Sequence, residues 1–181
     1  MEQVGYDTYC KLLDEVMKEM QGIETQEEQD IQIDLSFSSY IPEEYIENNS
    51  QKIEIYQDIA LCRTEEDIQN VTDEIIDRYG PMPKEVENLL EIARIKNLAR
   101  KANIIKIAQK RDGIVFLYEA NKFDISLIDK MVKKYNRRIR FSPSREPYIT
   151  LLLEGKQDIE KLKEIEEFLM SNCVDEELEK M

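Results

Sequence analysis

Histidine is absent from this 181-residue chain. Without histidine, the sequence lacks the most common general base, the most common zinc ligand and every nucleophilic arrangement that pairs serine or cysteine with histidine. Only five glycines are present, and neither GxxxxGK[ST] nor GxGxxG occurs, so no glycine-rich loop for phosphate groups is visible. These absences argue against an enzyme, and we expect neither catalytic residues nor a cofactor.

Cysteine is scarce, and long apolar runs are missing. The three cysteines, Cys10, Cys62 and Cys173, are widely separated and form no CxxC pair, so we expect free thiols and neither a metal site nor a redox centre. No apolar run is long enough to cross a bilayer, and the chain does not open with a secretion signal. We therefore expect a soluble, cytoplasmic protein that does not bind a membrane.

Charge is plentiful and unevenly distributed. The formal net charge is −14, with −18 over residues 1–91, +10 over residues 92–140 and −6 over residues 141–181. An overall negative chain repels the phosphate backbone of nucleic acids, which argues against general nucleic-acid binding. The basic segment at residues 94–140 keeps open the alternative of a module that contacts nucleic acid or a polymerase.

Within that segment, four cations repeat at helical spacing: Lys130, Lys133, Lys134 and Arg137. The side chains predicted opposite them are Ile128, Met131, Val132 and Tyr135. This pattern is typical of the solvated face of an amphipathic helix, and such cations also pair with carboxylates elsewhere in a fold. We interpret the four as a possible secondary basic surface and do not expect direct DNA contact.

Apolar periodicity predicts mostly helices in the first half. Residues 6–20 carry one apolar stripe, which predicts a helix within residues 1–22, and the alternation in IQIDLSF, residues 31–37, is typical of a half-buried strand. Pro42 predicts a short helical turn. Three helices follow, in SQKIEIYQDIALC, TEEDIQNVTDEIIDRYG and PKEVENLLEIARIKNLARKAN, with Thr64 as the N-cap of the second. In the first of these helices we expect Ile53, Tyr56 and Ile59 to form the apolar face.

The second half predicts strands and helices together. An Asp112-Gly113 pair between two apolar runs predicts a hairpin, and a helix near residues 124–136, strands at RRIRFS and YITLLLE, and a helix at DIEKLKEIEEFLM follow. The expected fold is α+β, with a helical part at about 42–103 packed with a small, mostly antiparallel sheet and helices at about 104–172. Residues 174–181 are expected to form a solvated tail.

The stretch DEIIDRYGPMPKEV, residues 73–86, predicts one helix that ends at Gly80 and another that begins at Pro83. Its helical pattern turns Glu74 and Asp77 towards solvent, and Arg78 lies four residues after Glu74, at the spacing of an intrahelical ion pair. The face that we expect to be buried consists of Ile68, Val71, Ile75, Ile76 and Tyr79. From spacing alone, a solvated face is a sufficient interpretation of these charges.

Three blocks, IDLSFSSYIPEEYI, QKIEIYQDIALCRTEEDI and DEIIDRYGPMPKEVENLLEIARIKNLARKANI, resemble in order and spacing the C-terminal domain of the bacterial transcription-repair coupling factor (Mfd) family. The resemblance covers roughly residues 31–105, and VGYDTYCKLLDE near the start resembles the helix that leaves the motor in that family. One departure occurs after Tyr56, where the family commonly has a basic pair and this chain has Gln57 and Asp58.

The resemblance implies a piece of a longer, ATP-driven DNA translocase, with residues 1–22 leaving the upstream motor and residues 31–173 forming a regulatory domain. In that family the domain packs on an N-terminal UvrB-like module and masks its UvrA-binding surface until the motor engages stalled RNA polymerase. The resemblance implies that the interface with that module contains Glu74, Asp77, Arg78 and Tyr79. A small metal-using enzyme remains a third alternative, although the sequence shows no ligand cluster for it.

Overall fold

The computed structural model describes residues 31–142, 145–153 and 158–173. The elements in chain order are β1 (Gln32–Asp34), α1 (Asn49–Leu61), α2 (Glu65–Tyr79), α3 (Lys84–Lys101), β2 (Ile104–Lys110), β3 (Gly113–Tyr118), α4 (Ser126–Tyr135), a 3-10 turn (Asn136–Arg138), β4 (Ile139–Ser142), β5 (Tyr148–Leu152) and α5 (Asp158–Asn172). The helix expected within residues 1–22 and the tail expected at residues 174–181 lie outside the described residues.

Contacts along the backbone divide the chain into two units. The first contains Phe37–Arg94, with α1, α2 and the first part of α3. The second contains β1, the last turns of α3 and the described residues that follow them. The strand β1 therefore belongs with the later part of the chain, although it precedes the helices of the first unit in sequence.

Local capping explains where α1 and α2 begin and where α2 ends. Asn48 caps α1, because its side-chain oxygen accepts hydrogen bonds from the backbone amides of Ser50 and Gln51. Thr64 caps α2 in a capping box with Asp67, as the sequence predicts. At the other end of α2, Gly80 has φ +82° and ψ −162°, a backbone conformation that is almost restricted to glycine. The predicted break before α3 is confirmed at this position.

Fewer residues of α1 and α2 are buried in the first unit than the apolar pattern of the sequence predicts. Ile55, Tyr56 and Ile59 of α1 are buried, but Ile53 is 37% exposed, so its predicted place in the apolar face is wrong. Ile76 of α2 is 45% exposed, which corrects its predicted burial, whereas Ile68 and Ile75 are fully covered. The physical reason is that each helix buries a stripe little wider than one side chain per turn, and the flanking apolar positions face solvent.

The second unit is built on one five-stranded sheet in the order β1-β2-β3-β5-β4. All neighbouring strands are antiparallel except β1 and β2, which pair in parallel with Ile33 opposite Ile107. The hairpin between β2 and β3 is confirmed, but its turn is Arg111-Asp112, and Gly113 already pairs with Lys110 in the sheet. The strand predicted at RRIRFS is shorter, because residues 136–138 form the 3-10 turn.

Aromatic side chains connect this sheet to its helices. Phe116 of β3 stacks on Phe168 of α5 with ring centroids 4.2 Å apart, and Tyr135 of α4 contacts the same phenylalanine at 5.6 Å. The hydroxyl of Tyr118 donates a hydrogen bond of 2.9 Å to Oδ1 of the buried Asn172. The α+β fold class is therefore confirmed. Within the described ranges, no helix is long and apolar enough to span a membrane.

Candidate functional site

The candidate interface residues lie in the last turn and a half of α2. Glu74, Asp77 and Arg78 are exposed there, and Tyr79 is half-buried. Tyr45 holds the end of this helix, because its hydroxyl donates a hydrogen bond of 2.8 Å to the carbonyl oxygen of Gly80. The ring of Tyr45 also lies 6.1 Å from the ring of Tyr79, centroid to centroid. The charged side chains thus extend from a helix end that Tyr45 holds in place.

Arg78 forms ion pairs with two carboxylates at this helix end. Its guanidinium donates to the Glu74 carboxylate at 2.8 Å, which is the intrahelical pair that the sequence predicts. A second carboxylate, Glu54 of α1, lies 3.4 Å from the same guanidinium. The hydrogen bond with Glu74 is the main reason that the pKa of Arg78 is raised. The guanidinium also lies 5.2 Å from the ring centroid of Tyr79.

Asp77 differs from Glu74 in having no intramolecular partner. Its exposed carboxylate forms neither an ion pair nor a hydrogen bond with any residue that the structure describes. Tyr79 also has unused bonding capacity, since its buried hydroxyl has no hydrogen-bond partner in the described part of the chain. This helix end therefore carries one carboxylate without a partner among the described residues and one carboxylate paired with arginine.

A groove between α1 and α2 is a feature that the sequence interpretation missed. Its volume is about 260 Å³, and its apolar lining comes from Leu61, Cys62 and Val71. Three carboxylates, those of Asp58, Asp67 and Glu74, and the amide of Asn70 complete the lining. The two helices run in opposite directions, since Glu54 near the start of α1 contacts Arg78 at the end of α2.

The sequence contains a pattern from which this groove could have been predicted. Only residues 62–64 separate α1 from α2, and so short a connection makes two helices antiparallel neighbours. Asp58 and Leu61 lie three residues apart on one face of α1, and Asn70 and Glu74 lie four apart on one face of α2. Pairing these two faces would have predicted an acidic groove.

Burial shifts the acidity of two groups in this groove. The pKa of the Asp58 carboxyl is raised, first by burial and then by the negative charges of Glu74 and Glu54, while Arg78 acts in the opposite direction. Burial likewise raises the pKa of the Cys62 thiol to about 11, so this cysteine is protonated at neutral pH. The environment of the groove thus disfavours a thiolate, and it disfavours any additional negative charge.

The predicted basic surface is divided by the structure. Lys130, Lys133 and Lys134 lie on α4 and are exposed, but Arg137 lies in the 3-10 turn that follows. Lys134 is engaged with α5, at 3.1 Å from the Glu167 carboxylate and 2.6 Å from the Ser171 hydroxyl. Lys133 lies 3.7 Å from Asp129.

Two further observations revise the prediction for α4. Val132 is 49% exposed, so its predicted burial opposite the cations is wrong, while Leu127, Met131 and Tyr135 form the buried face. Arg138 adds an ion pair with Glu164 of α5. The described part of the chain contains no group of three or more cysteine, aspartate or glutamate side chains arranged to hold a metal ion.

Comparison with known proteins places this fold in a family. The TRCF domain model matches residues 35–128, a range that contains α1, α2, α3 and the β2–β3 hairpin. A crystal structure of the C-terminal domain of transcription-repair coupling factor is similar over 79% of this chain and 91% of that one, with a TM-score of 0.72 and 24% sequence identity. This structural similarity shows the fold.

Curated relatives agree with the domain match. A transcription-repair-coupling factor of Staphylococcus epidermidis is 33% identical over 98% of this chain, one of Borreliella burgdorferi is 28% identical over 91%, and one of Bacillus subtilis is 37% identical over 63%. The aligned part is 15%, 15% and 10% of the length of the Staphylococcus, Borreliella and Bacillus proteins, respectively, so this chain corresponds to a small part of each relative. The chain belongs to the TRCF domain family of transcription-repair coupling factors.

Proposed function

We propose that this chain is a non-catalytic regulatory domain of a cytoplasmic transcription-coupled repair translocase. In the resting full-length protein it packs on the N-terminal UvrB-like module and masks the surface that binds UvrA. Engagement of stalled RNA polymerase by the motor releases the contact. The proposed regulatory domain spans residues 31–173, and residues 1–22 connect it to the motor.

The observation that carries this proposal is the exposed carboxylate pair at the end of α2. Asp77 has no partner among the described residues, and Glu74 is held in place by Arg78 at 2.8 Å. The Asp77 carboxylate is therefore available for a new ion pair, and the Glu74 carboxylate is oriented by a guanidinium that also contacts Glu54. These features suit a surface that recognises a charged partner surface.

Charged contacts also suit an interface that must open. A module tethered in the same protein is present at high effective concentration, so modest intrinsic affinity is enough to keep the contact closed. Exposed charge pairs supply register and specificity with little net stabilisation, whereas a large apolar interface would resist opening. The partner surface is expected to be basic.

The alternative, contact with nucleic acid or polymerase through residues 94–140, has less support. Lys134 and Arg138 are paired with carboxylates of α5, and Lys133 lies near Asp129. Pairing inside the fold lowers the positive potential that a phosphate backbone would meet. We therefore retain this surface as a secondary proposal, and its signature would be DNA binding with a steep salt dependence.

A calorimetric titration of this chain with the N-terminal module tests the main proposal. We expect native binding at about 0.1 M salt and much weaker binding at about 1 M, because the Debye length falls from roughly 10 Å to 3 Å. Glu74→Ala with Asp77→Ala should weaken binding at the lower salt by about tenfold or more, since two charge contacts are removed.

A second double variant controls for the change in net charge. Glu66→Ala with Asp129→Ala removes one exposed glutamate at the start of α2 and one exposed aspartate of α4, and it should bind like the native chain. If the native chain does not bind at the lower salt, or if both double variants weaken binding equally, the proposed interface is wrong.

A further inference from the structure

The groove between α1 and α2 combines an apolar floor with an acidic rim. Leu61 is 52% exposed and Val71 is half-buried, so both offer hydrocarbon surface to an incoming group. The carboxylates of Asp58, Asp67 and Glu74 stand around this surface, and no cation is among the residues that line it. Such a combination suits a side chain with an aliphatic stem and a cationic head.

Two of the three carboxylates already have partners. Asp67 accepts hydrogen bonds from the backbone amides of Arg63 and Thr64, and Glu74 accepts one from Arg78. Asp58 is the exception, because its carboxylate forms no ion pair or hydrogen bond with any residue in the described ranges. A half-buried carboxylate without a counter-charge in contact is costly unless a partner supplies one.

The charges facing Asp58 reinforce this imbalance. Glu54 of its own helix and Glu74 of α2 are both negative, and Arg78 is the cation that acts on it. Arg78 is itself bonded to Glu74 and lies 3.4 Å from Glu54. Its charge is thus shared between two other carboxylates, and Asp58 remains under-compensated.

The size of the groove limits its occupant. A volume of about 260 Å³ is below the ~300–1,000 Å³ that is usual for pockets that bind cofactors or drug-sized ligands. A groove of this size accommodates a single long side chain of a protein partner. An arginine fits its acceptors better than a lysine, because a planar fork of donors can bond two acceptors, such as the Asp58 carboxylate and the Asn70 amide oxygen, at once.

We propose that the groove receives an arginine side chain of a protein partner and that Asp58 is the residue that selects it. The stem of the arginine lies on Leu61 and Val71, and its guanidinium supplies the counter-charge that Asp58 lacks. In this arrangement the interface extends from α2 onto α1. The identity of the partner rests on the proposed function, which makes it the N-terminal module, but the chemistry of the groove does not.

The direct test is an NMR titration of the 181-residue chain with the blocked peptide Ac-Ala-Arg-Ala-NH2 at about 0.15 M salt, where charges farther apart than ~8 Å are screened. We expect saturable amide shifts confined to α1 and α2 around Asp58, Asn70 and Glu74. Asp58→Asn keeps the shape and removes the charge, and it should weaken binding by about tenfold. Asp73→Asn removes the same charge from a residue of α2 that does not line the groove, and it should bind like the native chain.

The lysine peptide Ac-Ala-Lys-Ala-NH2 should bind more weakly than the arginine peptide. Shifts spread over the acidic surface, equal responses to the two peptides, or an unchanged affinity of Asp58→Asn would each overturn the arginine site. These outcomes would show that the chain only attracts cations generally.

Titration with the N-terminal module separates this inference from the proposed function. If Asp58→Asn binds the module about tenfold more weakly than the native chain, both are supported. If Glu74→Ala with Asp77→Ala abolishes binding but Asp58→Asn does not change it, the groove proposal is wrong and the proposed function stands. If the module does not bind at all while the arginine peptide occupies the groove, the proposed function is wrong and the groove proposal stands.

Discussion

Asp58 is surrounded by charges that are mostly of its own sign. Burial raises the pKa of its carboxyl, and the negative charges of Glu74 and Glu54 raise it further. A group whose pKa is higher in the folded chain than in the unfolded chain binds protons more tightly when folded. The ionised form of Asp58 therefore works against folding, while the same charge serves the proposed arginine contact.

This conflict predicts that Asp58→Asn stabilises the isolated chain. The gain should be present at pH 7, where Asp58 is ionised, and should shrink as the pH falls towards the ordinary range of an aspartate, about 4, because the native carboxyl then becomes protonated. Thermal unfolding at pH 7 and pH 4, with Asp73→Asn as the control, measures it. A lower melting temperature for Asp58→Asn than for the native chain at pH 7 would contradict this prediction.

Exposure of single residues was the least predictable property of the sequence. The helical pattern correctly predicts that Glu74 and Asp77 face solvent, because charged side chains of an amphipathic helix lie on the side opposite its apolar face. The same pattern fails at Ile53, Ile76 and Val132, which it places in apolar faces and which are largely exposed. The width of a buried stripe depends on how many neighbours a helix has, and that information is not local.

Among the secondary-structure elements, boundaries set by local chemistry were predictable. Thr64 and Asp67 form the capping box that their spacing predicts, and the Gly80 conformation ends α2 where expected. Pairings over long sequence distances were not predictable in the same way. The strand β1 pairs in parallel with β2, as in the pair Ile33 and Ile107, and nothing in either strand specifies that partner or direction.

The hairpin shows how a correct prediction can be wrong by one residue. The Asp112-Gly113 pair suggests that glycine serves the turn, but Gly113 lies in β3, between Lys110 and Leu152 of the neighbouring strands. A Cβ atom at this position would lie 2.0 Å from the carbonyl oxygen of Leu151. Close approach of β5 to β3, rather than turn geometry, therefore requires glycine here.

Gly113→Ala should consequently destabilise the chain by about 3 kcal/mol or more, because a backbone carbonyl cannot move aside as a flexible side chain can. Gly80→Ala is the matched comparison. Its Cβ would meet no atom within 4 Å, so its cost is limited to the strained backbone conformation, about 1–3 kcal/mol. Urea unfolding of both variants measures the difference. Equal stability of Gly113→Ala and the native chain would show that β3 and β5 do not approach so closely.

At the scale of the whole molecule, charge is the property most relevant to function. The chain carries a net charge of −14, yet residues 92–140 carry +10, and two of these cations, Lys134 and Arg138, pair with carboxylates of α5. The acidic end of α2 and the acidic groove belong to the first unit, where few cations offset them. A basic partner surface is therefore attracted to this unit at long range, and salt weakens that attraction.

A tethered contact of this kind acts as a switch only if the closed state hides another binding surface. The apparent dissociation constant for the ligand of the hidden surface is then the intrinsic constant divided by the fraction of molecules that are open. Weakening the proposed contact with the N-terminal module should thus raise the apparent affinity for that ligand without any change in the ligand's own contacts. Among the interpretations of the α2 surface, only the proposed masking predicts this increase in affinity.

The most direct test of the proposed masking is the affinity of the full-length protein for UvrA, with and without Glu74→Ala plus Asp77→Ala. If the closed state dominates in the native protein, the variant should bind UvrA at least about tenfold more tightly. The control variant, Glu66→Ala plus Asp129→Ala, should bind UvrA with native affinity. Equal affinity of the native protein and the Glu74→Ala plus Asp77→Ala variant would contradict the account.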